Sequence, residues 1–141
     1  MRLLILGAGP LGRSVAAAAK ASGAYDEILF MDNELEAPDI QCKCGAFSLY
    51  ADGMTDMIAA METEAEQAEW VEQLSDMLVP LATIIHPEAR VTASARLGPG
   101  CAVLRGASVE AGAVLPKGCI LFAGAVLTVA DSPAECSLIR S

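Results

Sequence analysis

Residues 85 to 127 read IHPEAR VTASAR LGPGCA VLRGAS VEAGAV LPKGCI LFAGAV L, and cut in this way they keep a period of six. Ile85, Val91, Leu97, Val103, Val109, Leu115, Leu121 and Leu127 take the first place of eight successive frames. The fifth place (Ala89, Ala95, Cys101, Ala107, Ala113, Cys119, Ala125) is always small, and from Gly100 onward the fourth place is always glycine. A helix repeats at 3.6 residues and a strand at 2, so neither alone makes this beat. A triangular prism does: short strands form its faces, three hexads complete one coil, and the aliphatic points inward. The small residue fits where the chain bends, and glycine takes turn conformations that other residues resist. Cys101 and Cys119 lie 18 residues, one coil, apart. They are expected to stack as small apolar plugs rather than to act as a metal or redox pair. After Leu127 the stretch TVADSPAECSLIRS leaves the beat, so Asp131, Ser132 and Pro133 are expected to end the stack and the tail to cover its open edge.

The other end of the chain has a different grammar. Leu3-Leu4-Ile5-Leu6 is a short continuous apolar run, as a parallel strand buried on both faces requires. Gly7-Ala8-Gly9-Pro10-Leu11-Gly12 follows, and the alanine-rich segment from Ser14 to Ser22 favours a helix. At such a strand-to-helix turn Gly7 permits the tight bend, Gly9 lets the backbone approach a ligand, and Gly12 lets helix and strand pack closely. The helix N-terminus offers free N–H groups to an anion. A second strand, Glu27 to Met31, ends in Asp32-Asn33, and Asp32 lies 20 residues after Gly12. A dinucleotide-binding unit places its ribose-holding carboxylate at about that distance. Gly7, Gly9, Pro10, Leu11, Gly12, Asp32 and Asn33 are therefore candidate ligand-binding residues, and glycines that serve only a tight turn are the competing reading.

Between these regions the spacing predicts a linking helix over Thr55 to Leu78, with Met57, Met61, Ala65, Ala68, Val71, Leu74 and Leu78 as its apolar stripe. Charge divides the chain in two. Residues 1–79 carry 14 acids and 4 bases (about −10), whereas 80–141 carry 4 acids and 5 bases (about +1), for a net −9. Two units are expected, 1–79 with the linking helix and 80–141 with the hexads and tail. So acidic a chain repels nucleic acid and anionic membranes alike. With no apolar run long enough to span a bilayer and a strand where a signal peptide would stand, a cytoplasmic location is expected. Five cysteines, an odd number, fit free thiols, and with a single histidine and no zinc-like spacing around Cys42-Lys43-Cys44 no metal site is expected. At 141 residues there is no room for a substrate domain, so a nicotinamide-dependent enzyme is the least favoured reading.

The hexads look like the left-handed parallel β-helix of the hexapeptide-repeat acyltransferases. The order GAGPLG, FMDN, linker, IIHPEA, hexads resembles the sugar O-acyltransferase branch, of the sialic acid O-acetyltransferase and bacillosamine N-acetyltransferase type, over nearly the whole chain up to Leu127. The resemblance implies an α/β fold: a small N-terminal Rossmann-like βαβ unit followed by a short left-handed parallel β-helix. It further implies that Gly7, Gly9, Gly12 and Asp32 hold the phosphates and ribose of a nucleotide-linked sugar. Acetyl-CoA would bind as co-substrate between neighbouring chains of a homotrimer. Two departures stand out. The family's His-Asp-Cys segment is missing, and the β-helix is shorter at its C-terminal end. The only histidine, His86, opens the first hexad, where the family does not place its base. The expectation is a nucleotide- or nucleotide-sugar-binding, acyltransferase-like protein that is catalytically degenerate. The alternative is an active acetyl-CoA-dependent acetyltransferase whose base is His86, a carboxylate such as Glu110, or a group from another subunit.

Overall fold

The computed structural model describes residues 1–141. Its first half contains β1 (Arg2–Leu6), α1 (Pro10–Ser22), β2 (Glu27–Met31), a 3-10 helix (Cys44–Tyr50), β3 (Thr55–Ala59) and α2 (Glu64–Asp76). The three strands form a parallel sheet in the order β2-β1-β3, with Leu4 level with Leu29 on one side and Met57 on the other. Central β1 is covered on both faces, which is why its apolar run is unbroken. Leu3 and Ile5 pack with Val15, Ala18 and Ala19 of α1, and Leu4 and Leu6 pack with Trp70, Val71 and Leu74 of α2.

The linking helix expected over Thr55 to Leu78 is corrected by β3. Met57 and Ile58 are both fully buried, in the cores on opposite sides of the sheet, so this apolar run serves a two-sided strand. Its spacing merely coincides with a helical stripe. Helix α2 starts only after Thr63, whose Oγ1 accepts the Glu66 N–H at 3.2 Å and donates to Glu66 Oε1 at 2.9 Å. That side-chain N-cap, with the Glu66 carboxylate holding the Thr63 hydroxyl, fixes the helix start. Its buried face is Gln67, Trp70, Val71 and Leu74, while Ala65, Ala68 and Leu78 of the expected stripe are exposed.

From Ile84 the chain winds into coils of two-residue strands: β4 (Ile84–Ile85), β5 (Arg90–Val91), β6 (Arg96–Leu97), β7 (Ala102–Val103), β8 (Ser108–Val109), β9 (Val114–Leu115), β10 (Ile120–Leu121), β11 (Val126–Leu127) and β12 (Leu138–Ile139). They form three parallel faces, β4-β7-β10-β12, β5-β8-β11 and β6-β9, and partners are one coil apart, as in Ile84 with Ala102 and Ala102 with Ile120. Val103, Val109, Leu115, Leu121 and Leu127 fill the interior together with Cys101, Ala107, Ala113, Cys119 and Ala125. The fourth-place glycines all have φ between +74° and +77°, the left-handed corner that the sequence pattern demands. Ile84, Ala102 and Ile120 share a core with α1, so the first face of the prism is docked on the N-terminal unit.

The tail also differs from expectation. Leu138–Ile139 pairs with Ile120–Leu121 as a further rung, and Phe122 N–H donates to Ile139 O at 2.9 Å. The frame therefore continues through Pro133 to Ile139, so the stack does not end at Asp131 to Pro133, and the tail covers the edge of β10 as a rung in frame. Pro133 takes a first place where it has no N–H to give, so no strand forms there. Cys136 takes the glycine place and adopts φ 62°. No helix of the structure is long and apolar enough to cross a membrane.

Candidate functional site

In a parallel sheet the loops that leave the carboxyl ends of the strands gather above one edge. Here they enclose a cavity of about 350 Å³. Gly7, Gly9 and Pro10 follow β1, Asp32 to Leu35 follow β2, and Ala60, Met61 and Glu62 follow β3, while Glu66 and Trp70 of α2 form a wall. Gly7, Gly9, Pro10, Asp32 and Asn33 of the candidate set are thus brought together. Leu11 and Gly12 lie beneath them, both buried in α1. His86 does not border the cavity; it sits at the first hexad turn, where its Nδ1 accepts the Glu88 N–H at 2.9 Å.

The three glycines answer to different neighbours. A Cβ at Gly7 would stand 2.3 Å from the Ala60 carbonyl oxygen, and one at Gly12 would stand 1.8 Å from that of Gly7. Both are therefore demanded by the packing of the turn itself, whatever binds there. At Gly9 the atoms nearest a Cβ would be those of the Glu62 side chain, with Oε1 at 2.7 Å. That Oε1 also accepts the Leu11 N–H at 3.1 Å. Since Pro10 opens α1 without an N–H, Leu11 supplies the first donor of the helix. Glu62 thus places a carboxylate where the helix dipole and free N–H groups would hold an anion.

Asp32 is held as firmly. Its Oδ2 accepts Ala8 N–H at 2.9 Å, and its Oδ1 accepts Glu34 N–H and Leu35 N–H, each at 2.8 Å. Desolvation pushes its pKa up, but the N–H donors of Leu35, Ala8 and Glu34, with the nearby Lys43 charge, outweigh burial and hold it below the ordinary value. Asn33 fastens the same loop, its Oδ1 accepting Cys44 N–H at 2.9 Å and its carbonyl accepting from Lys43 Nζ. Asp32, Glu34, Glu62 and Glu66 border the cavity, and no lysine or arginine does. Arg13 stands beside the turn without bordering the cavity: its Nε donates to Ala8 O at 3.2 Å, its guanidinium pairs with Asp39, and it lies 4.1 Å from the Phe30 ring centroid. Cys44 borders the cavity too, but burial, then the charge of Asp32, pushes its thiol up to about 12, so it is no thiolate at neutral pH. The cleft can accept hydrogen bonds from hydroxyl or amino groups and offers the apolar wall of Trp70. It holds no imidazole.

Glu62, Glu66 and Trp70 escape a reading of the sequence that makes 55–78 one helix. Taken as a strand, Thr55 to Ala59 would have put Met61-Glu62 at the carboxyl end of a third parallel strand, and Thr63-x-x-Glu66 is a capping signature.

No protein-family model and no curated protein matches the sequence. Solved structures do match. The acetyltransferase domain of PglB from Neisseria gonorrhoeae FA1090, in complex with acetyl coenzyme A, superposes with a TM-score of 0.86 at 29% identity, covering 90% of this chain and 64% of that one. PerB from Caulobacter crescentus, in complex with CoA and GDP-perosamine, gives 0.81 at 22% identity over 91% of this chain and 63% of that one. The chain thus spans less than two thirds of either structure. The fold is an α/β arrangement of parallel sheets that matches the left-handed β-helix acetyltransferase structures.

Proposed function

We propose that the chain is a sugar-acyltransferase-like protein that binds a nucleotide or nucleotide-linked sugar in the cleft of a Rossmann-like unit, and that these residues alone transfer no acyl group. The observation that carries this reading is the overlap with the PglB acetyltransferase domain, which takes in 90% of the chain and so includes cleft and coils together. Gly9, Pro10, Asp32 and Asn33 would face the ligand, with Leu11 N–H and the close packing at Gly7 and Gly12 shaping the turn. Three N–H groups already bind the Asp32 carboxylate. A carboxylate has about four acceptor positions, so one is free for a ribose hydroxyl. In the active alternative acetyl-CoA would be the co-substrate, and the exposed cations of the coils, Arg90, Arg96 and Arg105 (the last paired with Glu88), suit its phosphates better than the acidic cleft does. A homotrimer is part of the proposal. Short coils have little core of their own, and Val114 and Val126 turn outward half-exposed. Light scattering should then report three chains per particle, and a monomer at micromolar concentration would count against it.

Acyl transfer to an amine or hydroxyl needs a base, which typically contributes about 10²–10⁴-fold. His86 lies off the cleft and Glu110 on an exposed turn. The active alternative draws its support from the match to an acetyl-CoA complex. A thiol-release assay with acetyl-CoA and UDP- or GDP-linked amino sugars separates the two. No turnover is expected; turnover that disappears in His86→Ala would establish the active reading with His86 as base, and turnover that survives would point to a carboxylate or a partner chain.

A further inference from the structure

We infer that Glu62 is a selectivity residue: its carboxylate occupies the anion position of the glycine turn, so a phosphate reaches α1 only by displacing it. The inference rests on the nucleotide-binding reading above and adds what controls it. Glu62 Oε1 is 3.1 Å from Leu11 N and would be 2.7 Å from a Cβ on Gly9, so the place of closest ligand approach and the first helix donor are both taken by one side chain.

The backbone beneath that side chain is fixed. Met61 N–H donates to Gln67 Oε1 at 2.9 Å, and Gln67 is fully buried. The Glu62 residue is exposed, and the three atoms nearest a Cβ on Gly9 all belong to its flexible side chain, so it can swing clear while β3 stays in place. An entering diphosphate exchanges one anion for another at Leu11 N–H and meets Asp32, Glu34 and Glu66 around the same cavity. A ligand's uncharged portion meets no such opposition. The wild-type cleft therefore reads the nucleoside or sugar and discounts the phosphates, the reverse of a phosphate-cradling glycine loop.

The test compares uridine and guanosine with UDP and GDP by calorimetry, on the wild type, Glu62→Gln and Glu62→Ala. Glu62→Gln keeps an acceptor for Leu11 N–H and loses only the charge, and Glu62→Ala also opens the space beside Gly9. Both variants should bind the diphosphates about tenfold more tightly, the scale of a screened like-charge contact near a protein surface. Nucleoside affinity should stay within about twofold, a split that general loosening of the cleft would not produce. If the ratio of diphosphate to nucleoside affinity is the same in all three proteins, Glu62 does not select and the inference fails while nucleotide binding stands. If none of the three binds any of the four compounds, both fail together.

Discussion

The side-chain amide of Gln67 donates to the carbonyl of Gly118 at 2.9 Å, joining α2 to a corner of the β-helix 51 residues further along the chain. The same Nε2 donates to Ala59 O at 2.9 Å, and Oε1 accepts from Met61 N–H. One buried side chain thus ties the end of β3, the floor of the cleft and the prism. Buried polar groups left without partners cost far more than a bond gains, so this contact holds only as a complete set.

Replacing Gln67 with Leu strands the Met61 N–H and the Gly118 carbonyl in a buried setting. The variant should lose roughly 2–4 kcal/mol of stability. Urea unfolding monitored by Trp70 fluorescence measures it, and a loss under about 0.5 kcal/mol would mean that water replaces the amide without cost.

The corner glycines should separate into two classes. Gly124 has φ +76° with nothing within 4 Å of a Cβ, whereas at Gly118, φ +74°, a Cβ would lie 2.8 Å from Cys136 Sγ and 3.0 Å from Val71 Cγ2. Gly124→Ala should cost about 1 kcal/mol, the left-handed penalty alone. Gly118→Ala should cost at least about 1 kcal/mol more through overpacking. Equal losses in thermal unfolding would show that Cys136 and Val71 move aside freely.

Asp32 sets part of the acid limit. Its pKa is held below the ordinary value in the folded chain, so its stabilisation is complete above the unfolded value of about 3.9 and fades as pH falls through the folded one. Asp32→Ala should therefore be less stable than the wild type at pH 6, and the gap should close toward the acid end. Parallel stability curves from pH 6 to pH 2.5 would contradict the N–H network around this carboxylate.

Thiol chemistry should be confined to one residue. All five cysteines are free; Cys42 is partly exposed and the other four are buried. Burial pushes Cys44 and Cys101 up to about 12 and raises Cys119 and Cys136. Iodoacetamide at pH 8 should add one adduct, at Cys42, until the chain is unfolded. Rapid addition at Cys119 or Cys136 would show the last coil to be open.

The β-helix was legible because its period leaves no rival: an aliphatic every six residues fits the prism alone, and Val103, Val109 and Leu115 lie buried where that period puts them. The segment from Met57 to Met61 was not, since an unbroken apolar run satisfies a two-sided strand and a helical stripe equally well. Pro133 hid the last rung, because it removes one strand while leaving the frame intact as far as Ile139. Gly9, Asp32 and Asn33 could be placed at the cleft from local order along β1, α1 and β2. Glu62 could not, because its position at the turn depends on β3 and not on any spacing to the glycines.

Calorimetric titration of the chain with UDP and GDP, repeated on Gly9→Val and Asp32→Ala, tests the central claim of a nucleotide-binding cleft most directly. At least one nucleotide should saturate one site per chain. Gly9→Val should abolish that binding, and Asp32→Ala should weaken it by roughly 1–3 kcal/mol through loss of a charge-assisted hydrogen bond. A wild-type protein that saturates with neither nucleotide, or a Gly9→Val protein that binds as tightly as the wild type, would contradict the claim and leave the glycines as parts of a tight turn.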